Sequence, residues 1–104
     1  KGEPYHGLWK LEVAKAGTYE ISLRRFPAES GLTFGDTPHK GEAVEYKSAE
    51  LKIGGISDKK PVDMSSDKVT FCIELKKEST EMDAVLIDSN GRKTSAYYVD
   101  VLRK

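Results

Sequence analysis

The residues of this chain best suited to chemistry stand together in Arg24-Arg25-Phe26-Pro27-Ala28-Glu29. Two guanidiniums end an alternating apolar run, and a proline corner and a carboxylate follow. A guanidinium fork matches sulfate and carboxylate oxygens two at a time, so Arg24 and Arg25 could cradle a sulfated or carboxylated sugar. The same residues could instead serve the fold. Parity from Tyr19, Ile21 and Leu23 carries on to Arg25 and aims it at the core side, where a buried cation needs acceptors. Glu29 or backbone carbonyls could supply them, making Arg25 a corner clamp, and the clamp is the preferred reading. Tyr97-Tyr98 is the second candidate. Neighbours on a strand face opposite ways, so one ring should be core and the other exposed, to stack on a sugar or cover a partner domain. Trp9 is in phase with Leu11 and Val13 and is expected in the core.

Other chemistry is sparse. His6 and His39 lack metal-ligand spacing, and Asp36 near His39 reads as a solvated loop pair. Asp88-Ser89-Asn90-Gly91 has the opening of a calcium loop but not its later acidic ligands or closing Glu, so it reads as a turn. Cys72 shares a polar strand face with Thr70 and Glu74 and has no evident catalytic partner. No phosphate-binding glycine loop or Gly-x-Ser-x-Gly elbow occurs. The 104 residues carry 17 Lys+Arg against 17 Asp+Glu. That balance speaks against binding nucleic acid or an anionic membrane surface. No apolar run has the length of a membrane span. The single cysteine excludes an internal disulfide framework.

The elements that must position these residues read as strands. Trp9-Leu11-Val13 and Tyr19-Ile21-Leu23 alternate with polar residues across an Ala-Lys-Ala-Gly link, which predicts a hairpin. After Pro27 a long stretch to about Tyr46 is rich in Gly, Pro, Thr and Asp, with Leu32 and Phe34 as apolar exceptions. Ala49-Leu51-Ile53 is followed by a Gly54-Gly55 turn, and Val62 to Met64 reads as a short edge strand. Val69-Phe71-Ile73-Leu75 is the cleanest alternation. Met82-Ala84-Leu86 leads to the Asn90-Gly91 hairpin signal, and Ala96 to Leu102 reads as one final strand. No helix is predicted. The fold class is all-β, an antiparallel β-sandwich of about six to eight short strands, with residues 1–104 as a single domain. Trp9, Tyr19, Ile21, Leu51, Ile53, Phe71, Ile73, Leu75 and Leu86 are its expected core.

Several of these segments carry a resemblance. Gly7-Leu8-Trp9-Lys10-Leu11-Glu12-Val13, then Gly17-Thr18-Tyr19, then Leu23-Arg24-Arg25-Phe26-Pro27-Ala28-Glu29 is similar to the pattern G-x-W-x-V-x-V-x-x-x-G-x-Y-x-x-x-L-R-R-W-P-x-E. That pattern belongs to the C-terminal appended β-domain of bacterial arylsulfatase-type sulfatases. Ala49 to Gly55, Val69-Thr70-Phe71 and Ala96-Tyr97-Tyr98-Val99 agree with it in order. Phe26 stands where the family has Trp, and Ser30 to Lys47 departs from the pattern. The resemblance implies a non-catalytic accessory domain packed on its own catalytic domain, in a periplasmic or secreted parent, with a part in shaping access of a sulfated carbohydrate as a further expectation. The family's formylglycine arises in a Cys/Ser-x-Pro-x-Arg motif. Cys72 is followed by Ile73-Glu74-Leu75, so formylglycine and calcium are expected only in the parent's catalytic domain. Lys1-Gly2-Glu3-Pro4 lacks an initiator Met and reads as the start of an excised domain. Arg24, Arg25, Phe26, Glu29, Tyr97 and Tyr98 are the expected interface or anion contacts. The alternatives are a carbohydrate-binding module for anionic glycans and a ligand-free structural sandwich.

Overall fold

The computed structural model describes residues 9–36 and 44–104. The candidates His6 and His39 lie outside the described residues. Among the described residues eight strands run in chain order as β1 Trp9–Val13, β2 Gly17–Arg24, β3 Tyr46–Ile53, β4 Ile56–Pro61, β5 Val69–Leu75, β6 Glu78–Asp88, β7 Lys93–Ser95 and β8 Tyr98–Arg103. A 3-10 turn covers Ala28–Ser30. One sheet has the order β1-β6-β3-β4, with β7 also paired to β6, and the other has the order β5-β2-β8. Every pairing is antiparallel. The all-β expectation therefore holds.

Alternation builds the core from both sheets. In the smaller sheet Tyr19, Ile21 and Leu23 stand opposite Ile73, Phe71 and Val69. In the larger sheet Ala49 meets Leu86 and Leu51 meets Ala84, so each large side chain faces a small one across the ladder. These residues join one buried cluster that also holds Phe34, Tyr46 and Ala96. At about 1.5–3 kcal/mol for each large apolar side chain, that burial is the main source of stability. The β3–β4 link is a two-residue turn in which Gly54 and Gly55 have φ of 54° and 85°. Only glycine takes two successive left-handed positions without strain. After β6, Gly91 donates to the Asp88 carbonyl while the Asp88 carboxylate accepts from the N–H groups of Asn90 and Arg92. That closes the predicted hairpin onto β7.

Five expectations need correction. β1 and β2 form no hairpin: β1 pairs with β6, and β2 pairs with β5 and β8. The short link between them carries the chain from one sheet to the other. Val62 to Met64 is not a strand, because the edge strand β4 ends at Pro61. The final run is divided: β7 ends at Ser95 in the larger sheet, and β8 begins at Tyr98 in the smaller one. Ala96 fills the core at the crossing, and Tyr97 and Tyr98 are both exposed, at 55% and 44%. Trp9 is 39% exposed rather than core. It lies at the start of β1, which has a sheet neighbour on one side only.

Candidate functional site

The two arginines part company. Arg24 is the last residue of β2, and its neighbours on the sheet surface are polar. It is only 8% exposed, although the parity argument had aimed Arg25 at the core side. Its Nε donates to Asp100 Oδ2 at 2.7 Å, and its Nη1 donates to Asp67 Oδ2 at 3.0 Å. Asp100 is on β8 and Asp67 just precedes β5, so the guanidinium ties both outer strands of the smaller sheet to its centre. The hydrogen bond to Asp100, above all, pushes the Arg24 guanidinium further above its ordinary value, against the opposing effect of burial. It is therefore a permanent cation already matched by two carboxylates. The Ser22 and Thr70 hydroxyls meet at 2.9 Å one step along the same face.

Arg25 leaves the sheet and is half-buried. Its Nη1 donates to the carbonyls of Phe34 and Asp36 at 3.0 and 3.1 Å. The guanidinium carbon also lies 5.0 Å from the centroid of the Phe26 ring and 5.5 Å from that of Tyr46. Those are cation–π distances. Phe34 is fully buried and meets Tyr46 edge-on, with centroids 6.0 Å apart. The expected clamp is thus present, and its acceptors are loop carbonyls, while Glu29 is exposed on the 3-10 turn. The loop has a second fastening. Phe34 N–H donates to Ser66 O, and Gly35 N–H donates to Met64 O. A Cβ at Gly35 would lie 2.9 Å from that Met64 oxygen, so the backbones approach too closely for any other residue. Asp36 Oδ2 accepts from the N–H and hydroxyl of Thr33, which closes the turn that presents both carbonyls to Arg25.

Tyr97 borders a cleft of about 190 Å³ beside this corner, lined by Val44, Tyr46, Asp88, Arg92, Thr94 and Tyr97. Burial, then the neighbouring Tyr97, pushes the Tyr46 phenol up to about 12. Arg25 opposes that shift. Tyr98 stands directly across from Arg24 on the adjacent strand β8, so the two side chains share a face of the smaller sheet. The candidates therefore form two groups: Arg24 with Tyr98, and Arg25 with Phe26 and, through Tyr46, Tyr97. Sequence reasoning missed Asp67, Asp100, Phe34 and Tyr46. Of these only Phe34 left a signal, as an apolar residue isolated in a polar loop.

Among the described residues no group of three or more His, Cys, Asp or Glu converges, and no helix is long and apolar enough to cross a membrane. Cys72 is exposed on the outer face of β5. Comparison with models of known families, with curated proteins and with solved structures finds no match to this chain.

Proposed function

We propose that this chain is a non-catalytic accessory domain of a bacterial arylsulfatase-type protein, packed on a catalytic domain in the parent chain. In that parent, formylglycine and calcium chemistry belongs to the catalytic domain, the location is the periplasm or outside the cell, and the accessory domain helps shape access of a sulfated glycan. The supporting observation is the fate of the Leu-Arg-Arg-aromatic-Pro-x-Glu segment. Both of its guanidiniums are engaged inside the domain, one by carboxylates and one by loop carbonyls. The motif builds a corner and presents a fastened loop, as a packing domain requires, and it leaves neither Arg24 nor Arg25 open to a sulfate. The test is the reading frame upstream of Lys1. A Cys/Ser-x-Pro-x-Arg motif there is the expected result. Deleting residues 1–104 from that parent should then lower its thermal stability or its turnover of sulfate esters. A frame without the motif overturns the proposal.

A second reading rests on the cleft beside Tyr97. An exposed phenol ring above a concave floor with Arg92 at its edge is the arrangement by which a domain stacks on a sugar ring. Glycan binding by this chain that is lost in Tyr97→Ala would favour a carbohydrate-binding module, and no binding would remove that reading.

A further inference from the structure

The free strand edges of the sandwich are not protected alike. β4 carries Asp58, Lys59, Lys60 and Pro61 along its edge. Lys60 also reaches over to β5, where its Nζ donates to the outward-facing Thr70 carbonyl at 2.7 Å. Charges, proline and a capped carbonyl are how edges are kept from pairing with other chains. β8 differs. Its charged side chains turn back onto its own sheet. Asp100 goes to Arg24, Arg103 donates to Ala16 O, and Lys104 just beyond the strand goes to Glu20. Asp100 and Lys104 stay about half exposed, and beside them stand exposed apolar side chains: Tyr98, Val101 at 40% and Leu102 at 60%.

The ladder fixes which backbone groups are free. Lys104 N–H donates to Thr18 O, so alternate residues of β8 turn their N–H and C=O toward β2. Val99, Val101 and Arg103 turn theirs outward. We propose that β8 pairs antiparallel with β8 of a second copy of this chain, about a two-fold axis through Leu102, joining the two smaller sheets into one. Face and hydrogen-bond parity allow only registers that differ by steps of two. Placing the axis at Asp100 sets two carboxylates directly opposite. Placing it at Val101 sets Asp100 against Leu102. With the axis at Leu102, the most exposed apolar side chain of the strand meets its own copy, and Asp100 falls opposite Lys104 on both sides, each still about half exposed beside its partner Arg24 or Glu20. Val101 and Arg103 then exchange their free backbone hydrogen bonds. The strand is self-complementary in charge and in apolar contact in this register alone of the three.

An edge ladder this short lies at the small end of protein interfaces, so the expected dissociation constant is about 100 µM. Sedimentation equilibrium up to about 1 mM, a tenfold excess over that constant, should show a monomer–dimer equilibrium. Register is tested by disulfide trapping in a Cys72→Ser background. Leu102→Cys places thiols face to face at a non-hydrogen-bonded pair, and Val101→Cys does not. The expected result is at least about tenfold faster cross-linking through Leu102→Cys, the mark of a thiol pair held within bonding reach. A chain that stays monomeric at the highest concentration overturns the proposal and leaves β8 as an edge for a strand of a different domain. Equal cross-linking at the two positions, or faster linkage through Val101→Cys, overturns it as well.

Discussion

Arg24 and Arg25 are adjacent in sequence and do opposite kinds of work. Arg24 stays in the sheet and is satisfied by charge, through two carboxylates whose side chains are about half exposed. Arg25 leaves the sheet and is satisfied by neutral carbonyls and aromatic faces. One fastens strands that their ladders already hold. The other fastens a loop that no strand ladder holds. The difference shows that a guanidinium's contribution depends on what would be loose without it, and not on the number of its contacts.

The largest effect should come from removing what Arg25 holds in place. Phe34→Ala empties a fully buried ring site between the loop and β3, and should cost about 3–5 kcal/mol. The loss should be visible in urea melts. Hydrogen exchange should rise at Gly35, while the amides of β2 and β5 opposite Arg24 remain protected in the folded state. Equal loosening of both regions would mean that the loop and the smaller sheet are one cooperative unit.

Arg25→Met comes next. It keeps an apolar stem against Phe26 and Tyr46 and removes both carbonyl bonds, so about 2–3 kcal/mol is expected from thermal or urea unfolding. Arg25→Lys should recover less than half of it, because an ammonium lacks the planar fork and the flat stacking face. Unchanged stability in Arg25→Met would sink the clamp.

Arg24→Met should cost less, about 1–2 kcal/mol, since the two carboxylates it leaves can hydrate and solvent screens the pair. Salt separates the two arginines. In about 1 M NaCl the cost of Arg24→Met should shrink, because screening weakens the native ion pairs, and that of Arg25→Met should stay the same. A salt-insensitive Arg24→Met would show that packing of the stem, rather than charge, holds the strands.

The sequence reveals one half of this comparison better than the other. Strand content is legible because a sheet buried on one face imposes a two-residue period, and Val69-Phe71-Ile73-Leu75 follows it without interruption. Which strand pairs with which is not. A three-residue link after Val13 is compatible with a hairpin or with a crossing between sheets, and the side chains of β1 alternate identically in both. Tyr97 and Tyr98 defeat the parity argument because the chain changes sheets between Ser95 and Tyr98, and the alternation starts afresh. The clamp was legible because its acceptors are the local loop that follows Pro27. The ion triad was not, since Asp67 and Asp100 lie 43 and 76 positions from Arg24. Nothing local distinguishes them from the other single acids of the polar faces.

The smallest expected effect is the most specific to the Arg25 corner. Burial and Tyr97 raise the Tyr46 phenol to about 12 in the folded chain, against an ordinary value of 10.0. Between those two values the unfolded chain has lost the proton and the folded chain keeps it, so the unfolded state binds fewer protons and stability must fall as pH rises. The stabilisation is fully present below pH about 10 and is lost progressively up to about 12. Tyr46→Phe removes the titrating group and leaves the ring beneath Arg25, so stability between those pH values should fall less steeply than in the native chain. Arg25→Met should move the Tyr46 titration further upward, because the nearby cation favours the phenolate. Ultraviolet titration of the phenol measures this directly. A Tyr46 titration that is unaltered in Arg25→Met would mean that the guanidinium sits too far from the hydroxyl to be felt, and that it holds the ring by packing alone.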